Sequence, residues 1–280
     1  MNSMEMSKIK IEPKNGWQFI NFKELKELKE YRDLFYFLVA RDIKVRYKQT
    51  ILGGLWAIIQ PFFLMVIFTL FFGKLAKIPS DNVPYPIFNF SAMVAWTYLA
   101  NALSNSSNSL IASSNLVSKV YFPRIIIPLT PILAGLLDFT IAFLMLIAMM
   151  IYYNIYPTIM VFFLPLLVVL MIFTASGVGM FLSALNAKYR DTKYIIGFLV
   201  QAWMFASPIC YPSSMVPEKY QLIYALNPMV GVIEGFRSVL LGTNPFPIGI
   251  VTISFIVSSF LLFLGMNYFK QTERFFADII

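Results

Sequence analysis

Six apolar runs, each long enough to cross a bilayer, dictate what this 280-residue chain can become. They are Leu52–Phe72, Ile87–Leu103, Ile125–Ile151, Ile159–Leu185, Ile195–Tyr211 and Gly249–Phe269. A spanning helix needs about 20 mostly apolar residues at 1.5 Å rise each, which all six approach or exceed. The Lys and Arg residues between the runs are shared unevenly. Of the 22, 18 fall on the side that would hold both termini and 4 on the other. Basic residues in short loops resist translocation, so the pattern predicts an all-α integral membrane protein with six transmembrane helices and both termini cytoplasmic.

Composition agrees with a membrane chain. It is 59% hydrophobic and 13% charged, whereas soluble domains are about half apolar and a quarter charged. Six spans and a polar head use nearly the whole length, leaving no room for a separate soluble catalytic domain. The net charge of +8 comes largely from the first fifty residues, where 11 basic residues face 7 acidic ones. That excess suits anionic headgroups, and membrane lipids rather than nucleic acid are the expected partner. Residues 1–50 contain no apolar stretch of signal-peptide type, so the first span is expected to act as its own insertion signal.

Absent residue types bound the chemistry. There is no histidine, which excludes His-based metal sites, Ser–His–Asp triads and His proton relays. The single cysteine, Cys210, excludes an intrachain disulfide and reads as packing. The chain has no Gly-x-x-x-x-Gly-Lys-Ser/Thr loop to cradle a nucleotide phosphate. No metal site, no cofactor and no catalytic residues are expected on this chain, and ATP-driven work would fall to a partner.

Along the chain, residues 1–16 read as a flexible tail and 17–50 as a cytoplasmic amphipathic interfacial helix. Residues 51–280 form the six-helix transmembrane domain. Tyr31, Leu34, Phe35 and Leu38 recur at helical spacing, with Lys26, Lys29, Glu30 and Arg32 on the rest of the surface. Trp17 and Phe22 are apolar anchors suited to headgroup depth. Arg41, Lys44, Arg46 and Lys48 then gather at the mouth of the first span. Either they only hold the N-terminus inside, or they also receive an anionic headgroup. The inner segment Ser104–Arg124 is rich in Ser and Asn; a short amphipathic helix on Leu110, Leu116, Val117 and Val120 fits, stopped by Pro123. A second inner turn, Asn186–Lys193, is compact and basic. The last outer segment, Pro212–Ile248, is broken by five prolines, with a helix expected over Met229–Leu241. Apolar, proline-interrupted segments of this kind are candidates for re-entrant structure. Gly177, Gly179 and Gly265 lie inside spans, where small residues let helices approach closely.

Asp138 is the clear intramembrane acid, expected to hydrogen-bond within the protein or to line a path. Glu218 and Glu234 read as isolated on the outer segment. Most of the 28 Phe, 15 Tyr and 4 Trp are packing or interface belt. Phe62, Phe63, Phe68, Phe198, Trp203 and Phe205 are the candidates for lining a channel, because aromatic faces let a glycan slide without a fixed hydrogen-bond register.

An ordered set of segments is more specific than any of these. It runs Arg41-Asp-Ile-Lys-Val-Arg-Tyr-Lys-Gln-Thr-Ile-Leu-Gly-Gly-Leu-Trp-Ala-Ile-Ile-Gln-Pro61, Val120-Tyr-Phe-Pro-Arg124 and Tyr189-Arg-Asp191. It continues with Ser207-Pro-Ile-Cys-Tyr211, Asn227-Pro-Met, Glu234-Gly-Phe-Arg237 and Glu273-Arg-Phe-Phe-Ala-Asp278. In this order the chain resembles the ABC-2 type permeases that export polysaccharides and polyols such as O-antigen, capsule and teichoic acid. The resemblance runs from about Gly16 to the C-terminus.

The resemblance implies two copies of this chain around one channel and two copies of a separate ATPase subunit, which would carry ATP and Mg. It places a coupling helix at Asn105–Arg124, with Lys119, Tyr121, Phe122 and Arg124 as ATPase contacts. Tyr189, Arg190 and Asp191 form a second contact. It places short re-entrant helices at Ser213–Leu241, before the last span, and a lipid pyrophosphate near Arg41, Lys44, Arg46 and Lys48. ATP binding would open the channel through the coupling helices and feed a lipid-linked glycan across the cytoplasmic (inner) membrane of a prokaryote. Three alternatives stay open: an ABC-2 permease for a small molecule, a stand-alone secondary transporter or channel, and an integral-membrane enzyme. One intramembrane acid, no convincing internal repeat and no histidine speak against the last two.

Overall fold

The computed structural model describes residues 29–48, 53–189, 191–273 and 276. The tail, Trp17, Phe22, Lys26, Arg190 and Asp278 lie outside the described residues. The described secondary structure is helical, with no strand. The helices are α1 (Arg32–Lys48), α2 (Trp56–Phe68), α3 (Tyr85–Ala112), α4 (Ser114–Lys119), α5 (Ile126–Tyr152), α6 (Leu164–Lys188), α7 (Thr192–Phe205), α8 (Glu218–Ala225), α9 (Pro228–Leu241) and α10 (Ile248–Glu273). A π-helical turn, Thr69–Leu75, extends α2, and a 3₁₀ turn, Ile159–Phe163, leads into α6.

Among the described residues, four helical segments are long and apolar enough to cross a membrane: Trp56–Leu75, Ile126–Tyr152, Ile159–Lys188 and Ile248–Glu273. They coincide with the first, third, fourth and sixth expected runs. The other two runs take different forms. The second lies inside α3, whose 28 residues are ample in length but diluted by Asn and Ser. Those polar residues are tolerated because α2, α5, α6, α7 and α9 wall α3 in on its sides. The fifth becomes α7, with 14 residues, about 21 Å at 1.5 Å per residue and short of an apolar core of about 30 Å.

The bundle is organised around α3. Its residues from Ile87 to Leu103 join α5, α6 and α9 in one apolar core that includes Phe90, Met93, Leu99, Leu167, Met171 and Phe236. A second cluster at the opposite end of α3 gathers Leu38, Leu110, Val117, Phe122, Ile126, Met180, Phe269 and Phe276. There Tyr31, just before α1, packs with Leu34 and Phe35 of α1, while Tyr36 and Phe37 face outward. The amphipathic face read from the spacing is therefore the face that packs. α6 and α10 meet at glycine. A Cβ on Gly265 would fall on the Gly177 backbone, and one on Gly177 would meet the Leu261–Leu262 backbone, so only hydrogen fits at this crossing.

The expected coupling helix differs from Asn105–Arg124. α3 continues unbroken through Ala112, because nothing before Ser113 interrupts its backbone ladder. Only Ser114–Lys119 forms a separate helix, and the chain is extended by Val120, before Pro123. The expected helix over Met229–Leu241 is α9. It starts at Pro228, its first-turn proline lacking an N–H that would have no partner there. It ends at Gly242, whose positive φ of 65° supplies a left-handed cap. Every residue of α9 is buried.

Candidate functional site

Two groups of polar side chains stand out within this apolar bundle. The first joins α1 to α5. Arg46 forms an ion pair with Asp138, and the Tyr47 hydroxyl donates to the other oxygen of the same carboxylate. Asp138 lies 12 residues from Ile126 and 14 from Tyr152, near the middle of α5. A carboxylate at that depth needs charge compensation and hydrogen bonds to remain ionised, and consecutive residues of α1 supply both. Burial, then the hydrogen bond to Asp138, push the Tyr47 hydroxyl above its ordinary titration range. The pair is not sealed, since 29% of the Arg46 side chain and 19% of that of Asp138 remain accessible.

This ion pair stands at the edge of a cleft of about 250 Å³ bounded by α1, α2, α3 and α5. Gln60, Thr97, Asn101 and Asn105 line it, with Trp56, Tyr98 and Phe139 as aromatic walls. A wider groove of about 600 Å³ adjoins it between α1 and the ends of α3 and α5, sharing Arg46 and Asn105.

The second group lies in the α7–α9 region. Arg237 and Glu234, one helical turn apart on α9, form an ion pair at 3.0 Å with 0% and 5% of their side chains accessible. Arg237 also donates to the carbonyls of Ile209 at 3.0 Å and Phe88 at 3.4 Å, and its guanidinium lies 3.5 Å from the Phe88 ring centre. Glu234 accepts from the Ser213 N–H at 3.3 Å. One arginine thus ties α9 to the start of α3 and to the turn after α7. Asn227 reinforces the tie. Its side-chain oxygen accepts from the Met229 N–H at 3.1 Å, capping α9, and from the Trp203 indole at 2.8 Å. Its amide donates to the Ala206 carbonyl and to Ser207 Oγ, both at 3.0 Å.

The four basic headgroup candidates separate. Arg41 is hydrogen-bonded to Asp42 at 2.8 Å and Arg46 is held by Asp138. Lys44 and Lys48 are exposed. Residues two apart on a helix do not share a face, so both lysines point away from Arg46. The coupling candidates separate as well. Tyr121 is 93% exposed, and Lys119 is exposed beside it. Phe122 is 4% exposed, because the extended backbone after α4 alternates its side chains and turns this ring into the inner cluster. Arg124 donates to the Glu273 carbonyl at 2.7 Å, tying the segment to the end of α10. Tyr189 and Asp191 are exposed, with Lys188 lying 5.1 Å from the Tyr189 ring centre.

Of the channel candidates, Phe62, Phe63, Phe198 and Phe205 are exposed on α2 and α7. Phe68 is buried edge-on against Phe72, 5.4 Å between ring centres, so it packs its own bundle. Trp203 is half-buried, edge-on to Trp96 and committed to Asn227. Glu234, isolated in the sequence reading, is paired with Arg237 in the structure. Opposite charges at i and i+3 in an otherwise apolar helix are the signal that would have found it.

The bundle combines an ion-paired helix at one side with a wholly buried short helix before its last span. The sequence model of the ABC-2 type transporter family matches residues 33–241, three quarters of the chain, and the chain belongs to that family. The chain is also similar to named export and transport proteins over most of its length. It is 27% identical over 250 residues to the O-antigen export system permease protein RfbA of Klebsiella pneumoniae, covering 89% of this chain and 95% of that protein. It is 28% identical over 218 residues to the RfbA permease of Myxococcus xanthus, covering 77% and 83%. Identity to the polysialic acid transport protein KpsM of Escherichia coli is 25% over 214 residues, covering 73% and 80%.

Proposed function

We propose that this chain is the channel-forming permease subunit of an ABC transporter that exports a lipid-linked polysaccharide or teichoic-acid-type polymer across the cytoplasmic membrane. The observation that carries the reading is family membership together with export permeases for O-antigen as relatives along 89% of the chain. ATP hydrolysis, with its Mg, belongs to a separate ATPase subunit. Two permease copies and two ATPase copies make the transporter. Both termini are cytoplasmic, and α3 and α7 complete six spans within the assembly.

In this reading residues 17–50 lie on the cytoplasmic interface and 51–280 form the transmembrane domain, preceded by a tail at 1–16. The ATPase docks on the turn after α4, with Lys119 and Tyr121 leading, and on Tyr189–Asp191. α8 and α9 close the channel from outside. The exposed rings of Phe62, Phe63, Phe198 and Phe205 line the path, and Lys44 and Lys48 receive the lipid phosphate.

The test is purification of the full chain in mild detergent with mass spectrometry of its companions. A stoichiometric ATPase whose hydrolysis rises on adding lipid-linked glycan is the expected result. A homo-oligomer without an ATPase would overturn the reading and favour a stand-alone channel.

A further inference from the structure

We infer that the cleft bounded by α1, α2, α3 and α5 recognises the hydroxyl groups of a single sugar ring, as a site distinct from the lysines that meet phosphate. The inference rests on the glycan-export reading and adds a substrate contact to it.

Hydrogen-bonding capacity is the first observation. Gln60, Thr97, Asn101 and Asn105 face the cleft, and none of their side chains has a hydrogen-bond partner among the described residues. Polar side chains within membrane helices cluster where they line a path or a site. Elsewhere the bundle pairs some such groups, Ser106 and Thr174 among them, and leaves Asn89, Ser183 and Ser254 buried singly; among the described residues, only at this cleft do four unpaired polar side chains line one cavity. Amides and hydroxyls both donate and accept, which is the pattern that sugar hydroxyls require.

Charge excludes the alternative ligand. Arg46 and Asp138 compensate each other. A phosphate entering here would add negative charge beside an existing carboxylate, without a spare cation to meet it. A neutral ring adds none, and its hydroxyls can donate to Asp138 without breaking the ion pair. The uncompensated cations, Lys44 and Lys48, lie on another face of α1. Size and wall chemistry agree. About 250 Å³ lies below the range of about 300–1,000 Å³ typical of drug-sized ligands, so it suits one ring rather than a chain. Trp56, Tyr98 and Phe139 offer apolar faces for the ring's C–H surfaces.

The test uses the full chain in lipid nanodiscs, with free hexoses and N-acetylhexosamines as probes and saturation-transfer NMR as the readout. At least one sugar receives saturation. Asn101→Leu and Gln60→Leu each weaken its binding about fivefold, the equilibrium effect of one lost hydrogen bond. Thr97→Val, nearly the same shape, gives a smaller loss and guards against unfolding of the leucine variants. Lys74→Gln, on the exposed turn that extends α2, has no effect, and inorganic pyrophosphate does not displace the sugar. Silence from every sugar, unchanged binding in Asn101→Leu and Thr97→Val, or displacement by pyrophosphate would each overturn the inference. A co-purifying ATPase with no sugar binding would sink this site alone. Sugar binding without an ATPase would sink the exporter reading and leave the site.

Discussion

Two ion pairs hold this bundle, and they are built on different terms. Glu234–Arg237 is sealed, local and over-satisfied: both residues lie on one helix, water is excluded, and three backbone groups complete the hydrogen bonding. Arg46–Asp138 is partly open and long-range, joining residues 92 positions apart on two helices beside a cleft. A buried charge whose partner is removed is costly, whereas an accessible one can recruit water. The first arrangement suits a part that must stay assembled. The second suits a joint that exchanges partners, since part of each side chain is open to the cleft.

The contrast can be broken most directly at Arg237. Arg237→Met leaves Glu234 buried without its partner and is expected to cost about 3–5 kcal/mol, read as a large drop in thermal stability in detergent. Replacing both residues, Glu234→Leu with Arg237→Met, should restore most of it. If the single variant melts like the parent, the sealed pair is not what holds α9. Asn227→Ala comes next, at about 1–2 kcal/mol, because it removes a helix cap and strands the Trp203 indole. Its check is a melt combined with the Trp203 fluorescence maximum, expected to shift.

On the open side the effects are smaller. Tyr47→Phe removes one hydrogen bond to a carboxylate that keeps Arg46, and is expected to cost about 1 kcal/mol. Raising salt from 0.1 to 1 M shortens the screening length from about 10 to about 3 Å. Hydrogen exchange should then speed up along α1 and stay unchanged along α9. Equal responses would erase the distinction between the pairs. Smallest in stability is Tyr121→Ala, since the ring is 93% exposed. It should leave the melt unchanged while lowering glycan-stimulated ATPase activity in the assembled transporter.

Much of this was legible in the sequence because hydropathy is a property of long windows. The four most apolar spans, the packing face of α1 and the extent of α9 all follow from spacing and proline positions. What was not legible depends on pairing between distant positions. Asp138 is expected to hydrogen-bond within the protein or to line a path, but spacing cannot name its partners, Arg46 and Tyr47, because they lie on another helix. Phe68 and Phe63 are the same residue type on the same helix, yet one is buried and one exposed, a matter of which neighbours surround each face. Phe122 turns inward where a continuous helix was expected, because the backbone is extended at Val120 and side chains there no longer follow helical spacing. The fifth apolar run outlasts α7, because apolar content continues past Phe205 after the helix has ended.

The glycine contact between α6 and α10 has a mechanical corollary. Their surfaces at Gly177 and Gly265 fit each other and little else. Drawn apart, each would present a notch that mobile lipid tails fill poorly, forfeiting dispersion contacts on both sides. The two helices therefore behave as one strut. Whatever flexes during a working cycle must be sought among α1, α2 and α7, whose outward faces already tolerate a change of neighbour.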